Sequence, residues 1–116
     1  MEISVIIRSR TLIASLSGEL DHHSAKEVKS MIEELIKNRG VKNLIFDFSN
    51  LSFMDSSGIG VVIGRYKLIS SMGGRVAIVS HSRNINRLLT MSGINKLIGT
   101  FPSLDEAYLN VQEEIS

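Results

Sequence analysis

"VKNLIFDFSNLSFMDSSGIGVVIGRYK", Val41 to Lys67, changes character halfway along. Its first part, Val41 to Ser49, is a nearly continuous apolar run, the pattern of a central strand covered by helices. Beyond Asp55, the apolar residues Ile59, Val62, Ile63, Tyr66 and Ile69 recur at helical spacing. They predict a helix over about 57–72, closed by Gly73-Gly74. A buried strand running directly into an amphipathic helix is half of a parallel crossover, and it points to an α/β fold.

The flanking chain repeats this unit. Ile3 to Ile7 and Thr11 to Ser17 are β-branched runs separated by Arg8, Ser9 and Arg10, which suits a hairpin. Ser24 and Glu27 have capping-box spacing, and Ala25, Val28, Met31, Ile32, Leu35 and Ile36 then follow helical periodicity to Asn38-Arg39-Gly40. Arg75 to Ser80 reads as a strand, and Ser82 caps a helix through Ile85, Leu88 and Leu89 to Gly93. "KLIGTF", Lys96 to Phe101, supplies a last strand. Ser103 and Glu106 form a second capping box before the stripe Leu104, Ala107, Tyr108 and Val111. The order is ββαβαβαβα: one α/β domain over 1–116, with a mixed, mostly parallel sheet and covering helices.

Composition removes several classes of function. The 116 residues carry a formal net charge of +1, and the basic residues are interspersed with acids, so the footprint of a nucleic-acid binder is missing. The chain has no cysteine, which excludes disulfides, thiolate metal sites and a cysteine nucleophile. The N-terminus lacks the basic and apolar regions of an export signal, and no run reaches the about 20 apolar residues that span a bilayer. The expectation is a cytoplasmic protein without a membrane partner.

The motifs for chemistry are incomplete. Asp21-His22-His23 has no third ligand at metal-binding spacing, and no metal is expected there. Gly58, Gly60 and Gly64 fall short of a dinucleotide fingerprint because Ile63 holds the third glycine's place. Nucleotide binding at the Ser56 to Gly60 helix start stands as an alternative, carried only by the free amides of a helix N-terminus. "MDSSG" is not a nucleophile elbow, and no histidine has a spacing that argues for a serine hydrolase.

Helix capping explains Asp55, Ser56 and Ser57, since their oxygens accept hydrogen bonds from the first free amides. It does not explain the glycines, each of which costs about 0.8 to 1.0 kcal/mol relative to alanine inside a helix. Gly60 and Gly64 lie one i, i+4 step apart and so share a face, where a missing side chain lets another backbone approach. That backbone could belong to the protein's own sheet or to a partner.

"GELDHHSA" (Gly18 to Ala25), "LIFDFSNLSFMDSSGIGVVIGRYK" (Leu44 to Lys67) and "LLTMSGINKLI" (Leu88 to Ile98) closely resemble the STAS-domain anti-sigma factor antagonists. The resemblance runs along essentially the whole chain, and its most specific part is the D-S-S-G-I-G segment at Asp55 to Gly60. His22-His23 after Glu19-Leu20-Asp21 is similar to the sporulation branch, the anti-sigma F factor antagonists. The resemblance implies a partner-switching protein that is a substrate and ligand, not an enzyme, and needs no cofactor. Its partners would be an anti-sigma factor with serine kinase activity and a serine phosphatase. The phosphorylated residue would be Ser56, with Ser57 the neighbouring hydroxyl. The docking surface would include Asp21, Asp55, Ser56, Ser57, Gly58, Gly60 and Gly64.

Overall fold

In the hairpin that opens the chain, strand β1 (Glu2–Arg8) pairs antiparallel with β2 (Thr11–Leu20), Arg8 standing opposite Thr11. The connection is therefore the two residues Ser9 and Arg10, with φ of 47° and 62°. Two left-handed residues match the twist of a tight hairpin, although neither is glycine. The strained turn is tied down from outside. The Arg10 carbonyl accepts the amides of Lys42 and Asn43 at 2.8 and 3.2 Å, and its Nε donates to the Gly40 carbonyl at 3.0 Å.

The computed structural model describes residues 1–112; the last four positions of the domain expected over 1–116 lie outside the described residues. After the hairpin come α1 (His22–Asn38), β3 (Asn43–Met54), α2 (Ser56–Ser71), β4 (Val76–Val79) and α3 (Arg83–Ser92). A 3-10 turn at Ile94–Lys96, β5 (Gly99–Phe101) and α4 (Leu104–Gln112) complete the order. The sheet runs β1-β2-β3-β4-β5, and every pair after the first is parallel. This is the mixed, mostly parallel α/β sheet expected.

Alternation along the strands divides the core in two. Leu12, Ala14 and Leu16 of β2, Leu44, Phe46 and Phe48 of β3, and Val76 and Ile78 of β4 meet Val28 and Ile32 of α1, Val62 and Ile69 of α2, and Ile85 and Leu89 of α3. Ile13, Ile45, Ala77 and Val79 face the other way, against Ala107 and Val111 of α4. Both faces of the central strands are covered, which is why they read as continuous apolar runs.

Some boundaries differ from the sequence expectation, each for a physical reason. Strand β3 does not end at Ser49 but continues to Met54, because β2 also runs on and offers Glu19 to Phe53 and Leu20 to Met54 across two register shifts. Helix α1 starts at His22, not after Ser24. Its cap is Asp21, whose Oδ1 accepts the amides of His23 and Ser24 at 2.9 and 3.1 Å. Ser24 is the far half of that box, accepting the Asp21 amide at 3.0 Å. A carboxylate is the stronger acceptor, and it takes the cap three residues before the sequence signal. The last strand begins only at Gly99, since Ile94–Lys96 coils into the 3-10 turn. The Ser82 cap holds with its hydroxyl accepting the Ile85 amide at 3.4 Å. Of the expected second box, the Ser103 hydroxyl accepts the Glu106 amide at 3.3 Å, while the Glu106 carboxylate accepts that hydroxyl at 3.2 Å instead of the Ser103 amide.

Candidate functional site

Leu20 and Met54 are paired at the ends of the adjacent parallel strands β2 and β3, and Asp21 and Asp55 follow them directly. The Asp55 amide donates to the Leu20 carbonyl at 3.2 Å, so the two strands stay joined up to the point where each gives way to a helix. Two capped helix N-termini thus begin side by side at one edge of the sheet. Each presents free amides and the positive end of a helix dipole.

Asp55 caps α2 by accepting the Ser57 amide at 2.8 Å. Ser56 is the first helical residue and is exposed, whereas Ser57 is partly buried beside α1. The two hydroxyls therefore occupy different surroundings, with Ser56 open to an incoming molecule. Asp21 is more extensively bonded than Asp55. The Ser24 amide first, then the His23 amide and the Ser24 hydroxyl, hold its carboxyl below the ordinary value of 3.8. His22 and His23 form the first turn of α1, and no group of three or more potential metal ligands occurs among the described residues.

The three glycines of α2 separate into two kinds. Gly58 is buried, and a Cβ there would meet the Met54 Sδ at 2.7 Å and Leu20 Cδ2 at 3.0 Å, so internal packing accounts for it. Gly60 and Gly64 have nothing within 4 Å of such a Cβ. The protein's own sheet is therefore not what approaches them, and their bare backbone faces open space. Gly60 is exposed and Gly64 partly buried.

The packed side of α2 is also turned relative to expectation. Val62 and Ile69 are buried as expected, while Ile59, Ile63 and Tyr66 only flank the core. Val61 and Arg65 are buried instead, the latter 6% exposed. Arg65 reaches α1, where its Nη2 lies 3.3 Å from Glu33 Oε2. Burial lowers the guanidinium pKa and the Glu33 carboxylate raises it. Between the helices lies a groove of about 420 Å³ lined by Lys26, Lys29, Ser57, Gly60 and Arg65 among others. Sequence reasoning missed these three cations. Lys26 and Lys29 have the i, i+3 spacing of neighbours on one helix face, but nothing local said that this face borders α2.

The STAS domain family profile matches residues 2–107. The chain belongs to the STAS family, among the anti-sigma factor antagonists. An anti-sigma F factor antagonist of Paenibacillus polymyxa is 46% identical over 87 residues, which cover 75% of this chain and 74% of the relative. The solved structure of the anti-sigma factor antagonist SpoIIAA in its unphosphorylated form superposes with a TM-score of 0.75 at 28% identity, covering 98% of this chain and all of the other. The Bacillus cell fate determinant SpoIIAA has also been solved in the phosphorylated form, with a TM-score of 0.75 at 31% identity and coverage of 95% and 99%. Within this STAS domain, the D-S-S-G-I-G segment directly follows the end of β3, with Asp55 as the cap and Ser56 to Gly60 as the start of α2. No helix among the described residues is long and apolar enough to cross a membrane.

Proposed function

We propose that this anti-sigma factor antagonist is a partner switch controlled at Ser56. Unphosphorylated, it binds an anti-sigma factor that is also a serine kinase and so frees a sporulation sigma factor. Phosphorylated on Ser56, it releases that partner, and a serine phosphatase resets it. The chain is the substrate and ligand in this cycle, acting in the cytoplasm, and catalyses nothing itself.

The observation that carries the reading is the exposed Ser56 hydroxyl at the first position of α2, beside the Asp55 cap and one turn from the unobstructed Gly60. A hydroxyl at a helix start is accessible to a kinase, and the free amides and dipole tolerate the phosphate that results. The same phosphate carries a charge of about −1.5 to −2, which a closely packed partner would have to desolvate next to Asp55. Support also comes from the SpoIIAA structures, which exist in unphosphorylated and phosphorylated forms. Asp21, one strand away, adds a second carboxylate at the same edge, and Gly60 and Gly64 supply the side for close approach.

The test is incubation with ATP and the anti-sigma factor encoded in the same genome, followed by intact-mass measurement and peptide mapping. One added phosphate on Ser56 is expected, and Ser56→Ala should remain bound to the partner in the presence of ATP. A phosphate on Ser57, or none, would overturn the assignment.

A further inference from the structure

Arg65 is a nearly buried guanidinium with most of its hydrogen-bonding capacity unused. Its contact with Glu33 engages Nη2, and neither Nε nor Nη1 has a hydrogen-bond partner among the described residues. Native proteins seldom leave buried polar groups in this condition, because each unmade bond costs free energy that water would otherwise have supplied. Arg65 forms part of the groove between α1 and α2, where Lys26 and Lys29 stand on the α1 side. Three cations meet there, and the one ion pair they make among the described residues is that of Arg65 with Glu33. The Gly60 side of the groove is open because no side chain fills it.

From this geometry we propose that the groove between α1 and α2 is a docking subsite for an acidic side chain of the protein partner, with Lys26 and Lys29 attracting the carboxylate and Arg65 receiving it. This rests on the partner-switching reading and identifies the chemistry that the partner presents. Planar guanidinium donors match the two oxygens of a carboxylate, so a small movement of the Arg65 side chain gives its idle donors a partner. The lysines are exposed, and their main contribution is to the rate of encounter and its dependence on salt. Ser57 and Gly60 also line the groove, so an acidic anchor seated there would place the rest of the partner over the start of α2, where Ser56 lies.

The experiment compares the wild-type protein with K26E/K29E and with K37E/K42E by calorimetry against the anti-sigma factor from the same genome, over a series of sodium chloride concentrations. The second pair makes the same change of charge at the far end of α1 and just before β3. All four lysines are exposed, so both variants should fold. We expect K26E/K29E to bind about tenfold or more weakly, with a flatter salt dependence, and K37E/K42E to stay close to wild type. In wild-type protein labelled with nitrogen-15, the Arg65 Nε–H resonance should shift when unlabelled partner is added. Wild-type binding with K26E/K29E unchanged, an equal loss in both variants, or an unmoved Arg65 resonance at saturation would overturn the subsite and leave the partner switch standing. Absence of any wild-type binding would overturn the partner switch itself, and the subsite with it.

Discussion

The Asp55 amide donates to the Leu20 carbonyl at 3.2 Å, and through that bond the caps of two helices are held at neighbouring strand ends. Asp21 and Asp55 are distant in sequence, yet each directly follows one member of the Leu20–Met54 pair. A phosphate added at Ser56 would meet favourable amides and dipoles from the helix starts and unfavourable charge from the caps. In the free protein, water moderates both. In a complex it does not, and this difference is the basis of the proposed switch.

Phosphorylation of Ser56 should therefore leave the fold almost unchanged while strongly weakening partner binding. An uncompensated charge in a buried interface costs about 3 to 5 kcal/mol. At about 1.4 kcal/mol per tenfold, the loss should be roughly a hundredfold or more. Ser56→Asp, with about half the charge and a shorter reach, should lose less. Calorimetry with the anti-sigma factor measures both, with circular dichroism of the free forms as the control. A loss below about tenfold, or a large spectral change in the free phosphoprotein, would mean that the switch acts through conformation.

Gly58 and Gly60 should respond oppositely to alanine. At Gly60 the new methyl group meets nothing inside the protein, so helix propensity should raise stability by up to about 1 kcal/mol while partner binding weakens. At Gly58 the methyl group collides with the side chains of Met54 and Leu20. Overpacking there should outweigh the helix gain and lower stability by roughly 1 to 2 kcal/mol. Thermal melts and titrations of both variants check the pair. A destabilised Gly60→Ala with unaltered affinity would assign Gly60 to internal packing.

Asp21 should contribute to the acid sensitivity of the fold. Its carboxyl is held below the ordinary value of 3.8 by the Ser24 and His23 amides. A carboxyl whose pKa is lower when folded stabilises the fold above its unfolded pKa, and that contribution disappears as pH falls through the folded value. Asp21→Asn keeps a good capping side chain without the charge. The stability difference between wild type and D21N should be constant near neutral pH and shrink as pH drops below 3.8, as followed by urea titrations across the acid range. A difference independent of pH would rule out the charged contribution.

Ser9→Gly should stabilise the hairpin. The left-handed conformation costs a non-glycine residue roughly 1 to 2 kcal/mol, against about 0.5 to 1 kcal/mol for the extra freedom of glycine when unfolded. The expected net gain is about 0.5 to 1 kcal/mol. Arg10→Gly relieves the same strain but loses the Nε bond to the Gly40 carbonyl, and it should gain less. Chemical denaturation of both variants distinguishes the two.

Periodicity was enough to establish the alternating strands and helices of this protein, because burial along one face leaves a local record every 2.0 or 3.6 residues. It placed Ile45 in a central strand and made Ala107 and Val111 part of an apolar stripe. The Asp55 to Gly60 motif was equally legible, since its residues are adjacent in the chain. What periodicity does not record is which element a face will meet. Strand β3 reaches Met54 only because β2 continues beside it, and the mixed polar and apolar stretch from Asn50 to Met54 gave no local sign of that pairing. Arg65 looks like a solvent-facing residue in sequence, and only the packing of α2 against α1 buries it beside Glu33. The seating of α2 on the ends of β2 and β3 decides that Gly58 fills a tight internal space against Leu20 and Met54 while Gly60 is left open. Those outcomes depend on contacts between residues far apart in the chain, where the energy resides in the pair and neither partner's neighbours reveal it.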